Sequence, residues 1–169
     1  MGSSYRATSW RVDETYVKVG GRWKYLFRAV DKHGQLIDFM LTVRRNTQEA
    51  QRFLAKALTM MRNWPPSSIT TDKLRSYPEA IERLKRKGQL SAYTRHRTSK
   101  YLNNIIEADH GALKRVILPT RGFQTMRPAR AILKGFEVMH MIRRGHCLTC
   151  KLGVRYEIRF VNKSFEIAA

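Results

Sequence analysis

Three carboxylates are spaced for shared work on a phosphate ester. Asp13 sits in the alternating run SWRVDETYVKV, and Asp72 closes the short β-branched run SITT at 68–71. Glu107 follows in KYLNNIIEADHGALKR, with 34 residues between it and Asp72. Hard divalent cations want oxygen ligands, and Mg²⁺ keeps several waters while taking a few carboxylates and phosphate oxygens. Two such ions about 3.5–4 Å apart can activate a nucleophile and stabilise the leaving oxygen of an in-line displacement. That chemistry asks for two or three converging carboxylates and little else of the protein.

Each acid also has a plainer reading. Asp13 can be strand decoration, Asp72 a turn or helix cap, and Glu107 a solvated helix charge. Helix geometry helps select the third acid. At about 100° per residue, Asn103, Asn104, His110, Gly111, Lys114 and Leu118 fall within about 60° of Glu107. Leu102, Ile105, Ile106, Leu113, Val116 and Ile117 fill the arc from about 160° to 280°. Asp109 lies near 200°, inside that apolar arc, and reads as a structural carboxylate paired with an arginine. Glu107 is therefore the acid on the polar face, with Lys114 two turns later.

Charge is the strongest bulk signal, with 33 Lys+Arg against 13 Asp+Glu and a net charge of +20. A globular chain this basic meets a polyanion, because its surface releases condensed counterions from nucleic acid. Seven Lys/Arg and no carboxylate lie from Arg83 to Ile106, and six more from His110 to Phe136, again with none. Glu107 and Asp109 are the only acids between these runs. At 169 residues, 43% hydrophobic with 17 aromatics, the chain can bury a core and is not a disordered tail. No window approaches roughly eighteen consecutive apolar residues, and the N-terminus lacks a signal-peptide core, so the expectation is a cytoplasmic, nucleoid-associated protein without membrane contact.

The elements that must position these residues follow in order. Residues 1–8 read as a flexible lead-in. Ser9–Val19 alternates, with Trp10, Val12 and Tyr16 on one side and Arg11, Asp13, Thr15 and Val17 on the other. Gly20-Gly21 is a hairpin signal, Trp23–Val30 a second strand, and Leu36–Val43 a third after the turn Asp31–Gly34. Asn46 with Glu49 resembles a capping box opening a helix. Ala50, Phe53, Leu54, Ala57, Leu58 and Met61 form its apolar face, and Pro65-Pro66 ends it. Ser68–Thr71 is a short strand delivering Asp72. A helix over 77–87 stops at Gly88, a fifth strand is expected near 90–94, and RHRTSKY at 95–101 reads as a mobile basic loop. Helices over 102–117 and from Pro128, with Ile132, Leu133, Phe136 and Met139 inward, complete a domain over 9–145. The tail at 146–169 includes RYEIRF, which could add a strand. This order specifies an α/β fold: a ribonuclease H-like mixed five-stranded sheet, three antiparallel strands then alternating helix and strand, flanked by helices. In that fold the ends of the first and fourth strands lie side by side, so Asp13 and Asp72 can meet.

The runs WRVDETYVKVGGRWKYLFRAVDKHG, TDK at 71–73, HR at 96–97, KYLNNIIEADHGALKR, and RGF through ARAILKGFEVMHMIRRG resemble the DDE transposase/integrase superfamily. Within it they resemble the catalytic domain of the insertion-sequence-six family. The resemblance covers roughly 9–145 and includes the D…D–34–E spacing and the lysine seven residues after the glutamate. It implies that Asp13, Asp72 and Glu107 bind two Mg²⁺ or Mn²⁺ ions. It also implies cleavage at transposon ends, 3′-OH attack on target DNA, cointegrate formation by replicative transposition, and a homodimer on paired ends. Lys114, Asn103 and Asn104 would touch DNA near the scissile phosphate, with Lys73 and Arg97 as phosphate contacts. Lys100 in the basic loop and His110 join them as DNA contacts. Eight lead-in residues cannot hold the helix-turn-helix region that the family places before this domain, so choice of end sequence is expected to lie outside this chain.

Two other readings use the same residues: a non-catalytic DNA-binding remnant of a transposase, and a ribonuclease H-like nuclease that only cuts. Cys147 and Cys150 form a single CxxC beside His140 and His146. One pair lacks a second at zinc spacing, so free thiols are expected. Trp10, Trp23 and Tyr25 could stack on bases, but packing against the sheet is the commoner use. No small-molecule cofactor is expected beyond the metal.

Overall fold

The computed structural model describes residues 9–99, 111, 114–115 and 122–143. Its backbone divides into two units, one running to Gln124 and the other starting at Thr125. The first unit is built on a five-stranded sheet ordered β3-β2-β1-β4-β5. β1 (Ser9–Val19), β2 (Arg22–Asp31) and β3 (Leu36–Thr42) form the antiparallel meander, and β4 (Ser68–Thr71) and β5 (Arg95–Thr98) add parallel to it. This is the mixed five-stranded sheet expected from the strand and helix order.

Local chemistry explains the corners. Gly20 and Gly21 both take positive φ, 56° and 72°, which a tight primed hairpin turn requires. Asp31 Oδ1 accepts from the amides of His33 and Gln35 at 2.8 and 2.9 Å, closing the turn between β2 and β3. α1 (Thr47–Met60) starts where the Asn46 side chain accepts the Glu49 amide at 2.9 Å. α2 (Ser76–Arg86) ends just before Gly88, whose φ is 68°.

α1 and α2 pack on one sheet face. The core there joins Trp10, Val12, Phe27, Ala29 and Ile69 from the strands to Ala50, Phe53, Leu54, Ala57, Tyr77, Ala80, Ile81 and Leu84 from the helices. On the other face Val17, Val19, Leu26, Val30 and Leu41 are buried as well. Burial along β1 therefore changes side: Trp10 and Val12 are buried first, then Thr15, Val17 and Val19 on the opposite face. Strict alternation with Tyr16 among the inward residues does not hold, because the two helices cover only the beginning of that face.

Two further expectations are corrected. The fifth strand is Arg95–Thr98, inside the run expected to be a mobile loop, and residues 92–94 precede it as turn and coil. α3 (Met126–Arg143), in the second unit, does carry Pro128 in its first turn. Its buried positions are Ala129, Leu133 and Glu137, while Ile132 and Met139 are exposed and Phe136 is half-buried. Gly111, Lys114 and Arg115 are helical, in line with a helix through this region. The remainder of the helix expected over 102–117, with Asp109, and the tail at 146–169 lie outside the described residues. Among the described residues no helix is long and apolar enough to cross a membrane.

Candidate active site

The parallel register of β1 and β4 brings the two aspartates together. Ser9 pairs with Ser68, Trp10 with Ile69 and Arg11 with Thr70. Asp13 lies two positions beyond the Arg11–Thr70 pair on β1, and Asp72 directly follows the last residue of β4. β4 ends at Thr71, so Asp72 leaves the sheet where β1 continues. Asp13 and Asp72 are both half-buried there.

In each aspartate Oδ1 accepts a backbone amide. Asp13 Oδ1 accepts the Glu14 amide at 2.7 Å, and Asp72 Oδ1 accepts the Leu74 amide at 3.1 Å. The second bond is an Asx turn, so the turn-capping role and a ligand role coexist in Asp72. Behind it, Thr71 Oγ1 donates to the Asp72 carbonyl at 2.9 Å and lies 2.9 Å from His96 Nε2. With its single proton given to the carbonyl, the hydroxyl accepts from His96 Nε2–H. That links β5 to the end of β4. Burial, and then the Lys85 ammonium, hold the His96 pKa below its ordinary value, with Glu82 opposing.

The residue that sequence reasoning missed is Glu14. It lies on the opposite face of β1 from Asp13, among Trp10, Val12 and Phe27, and its side chain is only 4% exposed. Arg45 Nε bonds its Oε1, and the Tyr77 hydroxyl stands 3.5 Å from Oε2. Burial raises the Glu14 pKa above its ordinary value, and the Asp72 charge raises it further, while Arg45 and Tyr77 oppose. The signal was present in the sequence: Glu14 is an acid on a strand face whose neighbours are Trp and Val.

Tyr77 reports how closely these acids gather. Its phenol is fully buried and its pKa lies well above the ordinary value, first through burial and then through the charges of Glu14, Asp72 and Asp13, with Arg45 opposing. Three carboxylates thus act on one phenol in a chain of net charge +20. The described oxygens suit a hard cation. Among the described residues no group of three or more His, Cys, Asp or Glu side chains is arranged to hold a metal ion. Glu107 lies outside the described residues, as do Lys100, Asn103, Asn104 and His110. Lys73, beside Asp72, is exposed, as are Arg97 on β5 and Lys114. Thr70 pairs with Arg97, which puts that cation on the strand next to the one carrying Asp72.

This sheet order, an antiparallel meander with two parallel strands added beside β1, defines the ribonuclease H-like class. Two structures of the HTLV-2 integrase catalytic core domain with magnesium share the fold. The dimeric form gives a TM-score of 0.53 at 17% identity, covering 70% of this chain and 75% of that one. A chain of the simian T-cell lymphotropic virus intasome gives 0.52 at 22% identity, covering 68% of this chain and 41% of that one. The family is sharper in sequence: a DDE domain family, that of IS240-type transposases, matches residues 7–146. The Staphylococcus aureus transposase for the insertion sequence-like element IS431mec is 35% identical over 133 residues, 79% of this chain and 57% of the relative. The Staphylococcus aureus transposase for IS257 in transposon Tn4003 matches to the same extent. The chain belongs to the DDE transposase family, in its insertion-sequence-six branch. It spans 57% of the length of these curated relatives.

Proposed function

We propose that this chain is the catalytic part of a DNA transposase that cleaves DNA at transposon ends and joins the freed 3′-OH to target DNA. The observation that supports the reading is the parallel pairing of β1 with β4, whose last pair, Arg11 with Thr70, lies two residues before Asp13 and Asp72. Asp13, Asp72 and Glu107 would hold two Mg²⁺ or Mn²⁺ ions. When bound, the ions supply a polarised nucleophile and charge stabilisation at the leaving oxygen. The chain's own work is to orient. The Asx turn aims the Asp72 carboxylate, and the His96–Thr71 link fixes the backbone it hangs from. Arg45 neutralises Glu14, which would otherwise add a fourth negative charge beside the reacting phosphate.

Lys73, Arg97, Lys100, Asn103, Asn104, His110 and Lys114 are proposed to contact DNA. The partners are transposon ends and target DNA, bound by a homodimer, with a cointegrate as product and a nucleoid-associated location in the cytoplasm. The test incubates the protein with pre-nicked end DNA, a plasmid target and Mn²⁺. Joined products that vanish in Asp72→Asn are expected. Cleavage without joining would make the chain a nuclease, and DNA binding without any product would make it a non-catalytic remnant; either result overturns the proposal.

A further inference from the structure

Beyond the carboxylates, β1 and β2 carry an aromatic face that the core uses only in part, through Tyr25. The antiparallel register places Tyr16 opposite Tyr25 and Lys18 opposite Trp23, so all four share one side of the sheet. Glu14, two residues back along β1, is on that side too. α1 and α2 cover its first part over Trp10, Val12, Phe27 and Ala29, but leave Trp23 62% exposed and Tyr16 46% exposed. Leaving a tryptophan in water forgoes most of its burial energy, and nothing about the hairpin turn requires one there.

The rings are braced. Tyr16 meets Tyr25 at 5.4 Å between centroids with planes at 59°, and meets Trp23 edge-on at 6.4 Å and 80°. Arg45 holds Tyr16 from the side, its Nη1 donating to the phenol oxygen at 3.0 Å and its guanidinium carbon lying 5.8 Å from the ring centroid. Rings fixed in advance lose little freedom on binding. Two cations border the rings, exposed Lys18 on the same face and Arg45 against Tyr16. An aromatic platform beside cations fits a polyanion with flat apolar faces. Every nucleobase has such a face, while a paired base keeps it stacked inside the duplex.

We infer that the face formed by Tyr16, Trp23 and Tyr25, rimmed by Lys18 and Arg45, is a stacking surface for the unpaired bases of single-stranded DNA. The inference rests on the reading that the chain acts on DNA and adds which form of DNA it grips. Tyr16 lies three residues from Asp13, roughly 10 Å along the strand, and faces the other side of the sheet.

The test is fluorescence anisotropy with a dye-labelled oligothymidine and with a duplex of equal length, divalent metal omitted. Trp23→Leu is expected to raise the oligothymidine Kd about tenfold while leaving the duplex Kd unchanged. Trp23→Phe restores most of the affinity, and Trp64→Leu changes nothing. The slope of log Kd against log salt stays the same in Trp23→Leu, because no phosphate contact is lost. An unchanged Kd in Trp23→Leu, or an equal loss on both DNAs, would overturn the inference. So would a change in the sedimentation mass of the DNA-free protein, which would make the face a contact for a second copy. Metal-free binding does not depend on catalysis, so this result and the Asp72→Asn result can fail separately.

Discussion

Removing the Arg45 guanidinium isolates the Glu14 carboxylate, and the consequence has a sign in pH as well as a size. The Glu14 side chain is 4% exposed and that of Arg45 is 30% exposed. Surface pairs contribute about 0–1 kcal/mol, and breaking a buried pair by deleting one partner costs about 3–5 kcal/mol. This half-covered pair lies between, so Arg45→Met should cost about 2 kcal/mol at neutral pH. For a chain of this size that lowers Tm by about 4–8 °C. In the parent protein the Glu14 pKa is already raised from 4.5, chiefly by burial, and Arg45 restrains it. Without Arg45 it rises further. An acid whose folded pKa exceeds its unfolded value binds more protons folded than unfolded between the two. Stability then falls as pH rises through that window, and the loss is complete above the folded pKa. The Arg45→Met deficit should therefore be largest at pH 7 and shrink as pH falls towards 4.5. Thermal melts followed by circular dichroism across this range, on Arg45→Met and on Glu14→Gln/Arg45→Met, measure it. The double variant should recover about half or more of the loss at pH 7. A deficit that is flat in pH, or a double variant no more stable than Arg45→Met, would refute the reasoning.

Divalent metal should stabilise the folded chain. At tenfold excess over its Kd, Mg²⁺ adds about 1.4 kcal/mol, and differential scanning fluorimetry should show a Tm rise that Asp72→Asn abolishes. A rise of equal size in that variant would detach the metal from this site. The hairpin corner tests backbone reasoning separately. A Cβ on Gly20 would stand 3.0 Å from the Gln124 carbonyl oxygen at φ 56°, while one on Gly21 at φ 72° meets nothing within 4 Å. Gly21→Ala should cost about 1–2 kcal/mol for the left-handed backbone alone. Gly20→Ala should cost more, by weakening the 2.6 Å bond from Gly20 N to Phe123 O. Chemical melts giving equal losses would show that this contact does not matter.

The strand order and the parallel pairing of β1 with β4 were legible because both follow from counting along short, well-bounded runs. SITT at 68–71 sits between Pro66 and Asp72, too short for anything but a strand, and its register with β1 follows from the fold. β5 was not legible. RHRT at 95–98 is exposed at three of four positions and pairs only with β4, so backbone bonds hold it and no apolar alternation marks it. The inward face of α3 was misread for a related reason: position 137 is a buried glutamate, and apolar periodicity cannot point to an acid. Glu14 escaped notice because the DET triplet reads as a polar interruption in an apolar strand. Only Arg45, more than thirty residues away in a loop with no periodic signal, turns it into a paired buried charge.

Asp13 and Glu14 are neighbours with opposite assignments, and what separates them is the register of one strand. A slip of a single residue would send Asp13 towards α1 and α2 and put Glu14 where Asp13 now stands. It would also turn Trp10 and Val12, both fully buried, out of the core and carry Arg11 inward. Burial of a side chain such as valine is worth about 1.5–3 kcal/mol, and tryptophan is larger. The slip would cost several kcal/mol before any carboxylate was counted. The Asp72 charge raises the Glu14 pKa, so these acids disfavour one another. Their mutual repulsion cannot be what places them. The placement is imposed by Trp10, Val12 and Ile69 packing beneath the helices, and the core thereby holds an arrangement of charges that the charges alone would not adopt.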